Sequence, residues 1–212
     1  MRQATCSDVD TICDSMMDNF AYVYKAIFNT NFCLTKEIFR SILTVNQGNF
    51  ALGYKVYNLA FDTTTGEFAG LIVLNSEQKK QGLIIGSICS ALILIRHIGI
   101  IGLIRTLKNI YSYRAVFPKV LKDEEYIAYI AVPSNFRRQG IGQQLVNYAI
   151  KSAKLSAKSA IILDVREKNI ESKAFFEALL FEEESPLDIP ENNMVDVAFG
   201  MGRSIRMKQK LL

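Results

Sequence analysis

"EEYIAYIAVPSNFRRQGIGQQLVNYAIKSAKLSAKSAIILDVR", residues 124–166, carries three patterns in succession. Residues 124–132 are rich in β-formers and stop before Pro133, which has no N–H to give to a ladder, so the run predicts a strand. Ile141, Leu145, Ala149 and Ala153 recur at helical spacing and make the apolar stripe of a following helix. "AIILDVR", residues 160–166, is near-continuously apolar, as a central parallel strand buried on both faces would be. Strand, helix and strand over this length predict a parallel crossover, and with it a mixed α/β sheet.

Outward from this unit the elements alternate in kind. Val9, Ile12, Met16, Phe20, Val23 and Ile27 sit at helical spacing, with Ser7 and Asp10 suited to the helix start. A shorter helix is expected over residues 35–44. Two β-rich runs then meet at residues 62–66, where Gly66 supplies the positive φ that hairpin loops commonly need. Residues 80–122 predict two helices, with Ile100, Leu103, Ile104, Leu107 and Ile110 on one face and Arg105, Lys108 and Asn109 on the other. Ser172, Phe175, Phe176 and Leu179 mark a last helix, and residues 203–211 alternate as a closing strand. The predicted order is strand, two helices, hairpin, helical insert, then strand-helix-strand-helix-strand, in one domain over residues 1–212.

The 212 residues, half of them apolar or aromatic, suffice for one well-buried core. Cys6, Cys13, Cys33 and Cys89 lie far apart with no CxxC pair, and His97 is the only histidine, so no metal site is expected. Arg2, Asp8 and Asp10 break up any leader, and a cytoplasmic protein is the expectation. The apolar stretch of residues 82–95 stops at Arg96 and His97, short of the roughly 18–20 residues of a spanning helix, and reads as a buried or interfacial helix.

Residues 78–122 hold eight basic residues and no acidic one, so the net charge of +4 arises entirely in that segment. An interfacial membrane helix, a dimer interface and an acceptor-pocket wall are all compatible with this composition. An ordinary packed helix pair with a solvated basic face is the expectation, with the chain a monomer or homodimer. Nucleic acid is excluded as a partner, since the basic residues are not interleaved with aromatic platforms.

Arg137, Arg138, Gly140 and Gly142 occupy the turn between the strand and its helix. A helix start leaves backbone N–H groups unpaired at the positive end of the dipole, and anions bind there. Both glycines would let the main chain approach a phosphate, and the arginines add charge. A nucleoside-triphosphate loop would need Gly-Lys-Ser/Thr, and a dinucleotide fingerprint a third glycine where Leu145 stands.

Arg137-x-x-Gly140-x-Gly142 after "YIAYIAV", then "IILDVR" and "NIESKAFFEALLFEE", resembles the acetyl-CoA-binding core of the GNAT superfamily of acyl-CoA-dependent N-acetyltransferases. The match is specific over residues 124–184. The resemblance implies a mostly antiparallel central sheet, a parallel splay between its fourth and fifth strands, helices on both faces, and the helical insert as an addition between the third and fourth strands. It implies acetyl-CoA as cosubstrate and a small-molecule or peptide amine as acceptor. Ile130 and Val132, with Ala131 between them, would pair with the pantetheine arm. Arg137, Arg138, Gln139, Gly140, Ile141 and Gly142 would cradle the pyrophosphate. Asn169 stands where the family often has a pantetheine-contacting asparagine, and it suits a helix N-cap equally well.

Two positions depart from the family. Phe176 replaces the tyrosine that protonates the departing thiolate, and Leu180 replaces a usual glycine. An acceptor ammonium also needs a base. Glu125, beside Glu124 at the start of the fourth strand, and Asp164 in the fifth are the candidates, and strand-end glutamates are more often solvated. Tyr126 and Tyr129 are expected to be core residues. The functional expectation is direct acetyl transfer to a primary amine in a ternary complex, with an oxyanion donor near Ala131. The alternatives are a non-catalytic acyl-CoA-binding module of the same fold and a membrane-surface-associated acyltransferase.

Overall fold

The structure, a computed structural model, describes residues 1–45, 53–75, 83–115, 120–187 and 204–211. Among these, seven strands form one sheet: β1 (Arg2–Gln3), β2 (Tyr57–Phe61), β3 (Phe68–Asn75), β4 (Glu124–Ala131), β5 (Ala160–Arg166), β6 (Glu182–Leu187) and β7 (Ser204–Lys210). The helices are α1 (Val9–Phe28), α2 (Phe32–Val45), α3 (Leu83–Ala115), α4 (Ile141–Leu155) and α5 (Ile170–Ala178). The spatial order is β1-β2-β3-β4-β5-β7-β6, and β4 with β5 is the parallel pair. The mixed, mostly antiparallel sheet and its inserted helical segment are as expected.

Two apolar layers cover the sheet. On one face α1, α2 and the inner side of α3 pack on Tyr57, Leu59, Leu71 and Val73, with Phe39, Ile38, Ile12 and Met16 fully buried. On the other face α4 and α5 enclose Ile72, Leu145, Val146, Ala149, Ile161, Leu163 and Phe176. Each such aliphatic or aromatic side chain removed from water contributes about 1.5–3 kcal/mol, so these layers hold the helices to the sheet.

Four expectations change. The cap before α1 is Thr5 with Asp8, not Ser7 with Asp10: the Thr5 N–H donates to Asp8 Oδ2 at 2.7 Å, in a short 3₁₀ turn that Arg2 braces through the same carboxylate. β6 was not foreseen, because its sequence is glutamate-rich and contains Pro186; as the sheet's outer strand it can carry both. α3 is a pair of helices meeting at Gly99 (φ 71°, ψ 177°), as expected, but its faces are drawn differently. Leu103 and Ile110 pack inward and Asn109 donates to Ala26 O and Ile27 O, whereas Ile100, Ile104 and Leu107 face outward. The apolar stretch also does not end at Arg96 and His97: Gly86–Ser112 is long and apolar enough, by length and composition, to cross a membrane, and only 6% of its most apolar window is buried.

Candidate functional site

β4 and β5 are in register only at Glu124 with Ala160, Glu125 with Ile161 and Tyr126 with Ile162. Past that point β5 stays paired with β7 as far as Arg166, and β4 stays paired with β3 as far as Ala131, so the two strands part. The parting leaves residues 127–131 of β4 with a ladder partner on one side only, an edge to which an extended chain can add. Ala128 has no partner on β3, since Tyr129 pairs with Val73 and Ile127 with Leu74. Such a bulge bends a strand and re-aims its groups, and sequence reasoning had no signal for it. Gly70 closes this end: a Cβ there would lie 2.9 Å from Ala131 O and 3.1 Å from Leu145 Cδ1, so only glycine lets β3, β4 and α4 meet.

The chain leaves β4 one residue earlier than expected, so Val132 lies just beyond the ladder. Pro133 and a 3₁₀ turn over Ser134–Phe136 follow, anchored by the buried Phe136. Arg138 (φ 62°) and Gly140 (φ 79°) are both left-handed, which turns the backbone into α4. For Arg138 that conformation costs about 1–2 kcal/mol. The Gln144 N–H is the first to bond back, to Gly140 O at 3.0 Å. The N–H groups of Ile141, Gly142 and Gln143 therefore stand at the positive end of the helix without helical partners.

The arginines and glycines of the turn divide their roles in a way the sequence did not reveal. Arg137 donates through Nε to Val132 O at 3.1 Å and braces the loop, while Arg138 is exposed. Gln139 bonds Asn135 O at 2.9 Å. Gly140 is needed for its φ, with open space where a Cβ would be. Gly142 is needed for packing: its Cβ would meet Phe175 Cζ at 3.1 Å.

At the apex of the splay three strands contribute to one polar network. Arg206 of β7 holds Asp164 of β5 bidentately, Nε to Oδ1 and Nη2 to Oδ2, both 2.9 Å, with side chains 7% and 4% exposed. Tyr126 of β4 donates its hydroxyl to Asp164 Oδ2 at 3.1 Å. Burial, and then the Asp164 charge, push the Tyr126 hydroxyl well above its usual range, so it remains a donor at neutral pH. Burial acts to lower the Arg206 pKa, but the Asp164 bonds outweigh it and the net shift is upward. Beyond Asp164, Arg166 stacks on Tyr22 of α1, 4.0 Å from the ring centroid. Arg206 had only a weak signal, a basic residue alternating with Ile205 and Met207 in the closing strand, and the pairing of β5 with β7 was needed to use it.

Residues 40–181 match the Acetyltransferase (GNAT) family. The chain belongs to this family. Among solved structures it is similar to an N-acetyltransferase from Staphylococcus aureus Mu50, with a TM-score of 0.62 and 13% identity over 98% of each chain. It is also similar to Ard1 from Thermoplasma volcanium, with a TM-score of 0.54 and 14% identity over 100% of this chain and 96% of that one. Naa20 from Chaetomium thermophilum, solved with a bisubstrate analogue, gives a TM-score of 0.54 and 13% identity over 99% and 85%. At these identities the likeness is one of fold. No curated protein matches the sequence.

Within this GNAT scaffold the remaining candidates separate. Glu125, 3% exposed, lies opposite Ile161 where β4 and β5 are still paired, not in the open part of the splay. Neither strand-end glutamate is solvated: Glu124 takes Lys208 Nζ at 2.7 Å and the Leu121 N–H at 3.0 Å. Asn169 caps α5, its Oδ1 accepting from the Ser172 N–H at 3.1 Å. Phe176 is 4% exposed and packs edge-on against Phe175 and Phe181 in the α5 layer. Leu180 explains the glycine usual at its position: its φ is 66°, and the Leu180 and Phe181 N–H groups close α5 onto Glu177 O and Phe176 O. No cluster of metal-ligating side chains occurs among the described residues.

Proposed function

We propose that the protein transfers an acetyl group from acetyl-CoA to a primary amine, small-molecule or peptide, by direct attack in a ternary complex. The observation that carries this reading is the parting of β4 and β5 after Tyr126, with the turn from Arg137 into α4 beyond the end of β4. Residues 127–131 have the open main-chain edge that a pantetheine arm requires, with Ile130, Ala131 and Val132 nearest the turn. The amides from Arg138 to Gln143 and the exposed Arg138 suit a diphosphate, while Arg137 holds the loop in shape. Acetyl-CoA supplies the activated acyl group; the chain supplies orientation and backbone donors near Ala131 for the developing oxyanion.

Proton transfer is assigned by environment. Both oxygens of the Asp164 carboxylate are already engaged, by the two Arg206 bonds and the Tyr126 hydroxyl, so its place in the site is that of an anchor. Asp164 therefore acts chiefly by fixing Tyr126 and Arg206, and the acceptor's proton leaves to solvent. Glu125 is too deep in the paired part of β4 to receive it directly. The four cysteines are unbridged thiols, which suits a reducing, cytoplasmic setting.

A second reading, a module that holds acyl-CoA without turnover, is favoured by Phe176 alone, since no hydroxyl stands there to protonate the thiolate. Thiol release from acetyl-CoA against polyamines, aminoglycosides, amino acids and peptides, with calorimetric CoA binding alongside, separates the two. Turnover on any amine supports the transferase; tight CoA binding with no turnover on the whole panel supports the module; no CoA binding refutes both.

A further inference from the structure

The outward face of α3 is apolar and uncovered among the described residues. Ile88, Leu92 and Ile95 before Gly99, and Ile100, Ile104, Leu107 and Tyr111 after it, follow helical spacing and are 37% (Ile95) to 78% (Tyr111) exposed. Ile101 lies beside the second stripe, also exposed. The opposite face is fully committed: Leu94, Ile98, Leu103 and Ile110 pack into the core, Thr106 is buried, and Asn109 is tied to the C-terminal turn of α1. Seven large side chains in line are far more apolar surface than a soluble protein leaves open without use.

Charge identifies the occupant. Arg96, Arg105 and Lys108 stand exposed next to these stripes, and residues 78–122 contain no aspartate or glutamate at all. A second copy docked face to face about a two-fold axis would bring these cations against their own equivalents. An anionic bilayer satisfies both features, taking the apolar stripe at the headgroup boundary and pairing the cations with lipid phosphates and carboxylates. Tyr111, with an apolar ring and a polar tip, suits that depth.

Spanning is disfavoured despite the length of the stretch. Gly99 breaks α3 into two helical pieces, each about 24 Å long against the roughly 30 Å of a hydrocarbon core. Crossing would also strip Leu94, Leu103, Thr106 and Asn109 from the body of the protein. We infer that α3 is a peripheral membrane-docking element that lays its Ile88-to-Tyr111 face in the interface of an anionic leaflet.

Vesicle flotation of the whole chain tests this. Vesicles of phosphatidylcholine with about 30 mol% phosphatidylserine should carry the protein at about 50 mM salt, and pure phosphatidylcholine vesicles should carry much less. Reversing Arg105 and Lys108 together (R105E/K108E) should weaken binding by more than about 25-fold, at roughly fivefold for each cation lost. I104D/L107D should abolish it, with thermal melting confirming a native fold. Because the chain has no tryptophan, Leu107→Trp gives a background-free probe whose emission should shift to the blue on the anionic vesicles. The inference is overturned if the folded wild type ignores anionic vesicles, or if I104D/L107D binds them as well as wild type. It is overturned equally if I104D/L107D only splits a dimer in light scattering while wild type shows no vesicle binding; the face is then a self-interface. None of these readouts depends on acetyl transfer, so failure here leaves the proposed activity standing.

Discussion

Replacing Gly142 with leucine tests the anion turn through the one contact that positions it. Gly142 is in the first turn of α4, and a Cβ there lies 3.1 Å from Phe175 Cζ and 3.5 Å from Cε2. An isobutyl group cannot fit unless the Phe175 ring moves or the start of α4 tilts away from α5. Overpacking of this kind costs about 1–3 kcal/mol. A gain of about 0.5–1 kcal/mol from removing a helical glycine offsets part of it. The net loss, up to about 2.5 kcal/mol, lowers Tm by up to about 10 °C for a domain of this size. Because the same tilt displaces the amides of residues 141–143, the Kd for CoA should rise at least about tenfold, or about 1.4 kcal/mol. Phe175→Ala removes the obstacle, so in that background Gly142→Leu should cost little stability. The cycle of G142L and F175A should then show a coupling of about 1–3 kcal/mol. Calorimetric CoA titration and chemical denaturation of the four proteins supply every number. Additive stabilities would refute the Phe175 contact as the reason for Gly142, and unchanged CoA affinity in folded G142L would refute the anion turn.

Four other outcomes follow from particular contacts. Phe176→Tyr should raise turnover, by up to about 10²-fold if the added hydroxyl reaches the thiolate, while costing about 1–3 kcal/mol because the ring is buried between Phe175 and Phe181; a stable variant with unchanged kcat would rule out a missing acid. Leu180→Gly relieves a left-handed leucine that is 76% exposed, and should stabilise the protein by up to about 1 kcal/mol in denaturant melts. Asp164→Ala leaves Arg206 buried and unpaired and should cost about 3–5 kcal/mol, whereas the double change D164L/R206M should recover most of it. The side-chain bonds from Arg2, with those from Thr5, hold the Asp8 carboxyl well below the usual range, so its contribution is full above the unfolded value of about 3.9 and is lost as pH falls below it. Asp8→Asn should therefore show a smaller stability loss than wild type between pH 5 and pH 2.5.

The turn from Arg137 to Gly142 was legible because its neighbours on both sides carry clear periods, and its location came from local order alone. Its internal division of labour was not legible. Arg137 bonding Val132 O and Gly142 meeting Phe175 depend on how a loop and a distant helix come together in space. Asn169 illustrates the same limit: a helix cap and a ligand contact ask for the same side chain, and only the Ser172 N–H at 3.1 Å shows its cap role. That Glu125 lies in the paired part of β4 was not legible for a related reason, since composition gave no sign of where β4 and β5 part.

From the sequence alone came the strand-turn-helix-strand unit, the mixed sheet and the likeness of residues 124–184 to an acetyl-CoA core. Those rest on short-range patterns, where apolar spacing and turn residues act within one or two elements. The tertiary structure alone decided the β5-β7-β6 order, and with it the Asp164–Arg206 pair. It also decided which side of α3 is covered. A helix with large apolar residues on both its inner and its outer sides has no clear period to announce which is inner. Leu103 and Ile104 are equivalent as letters, and only packing against the core separates the covered Leu103 from the exposed Ile104.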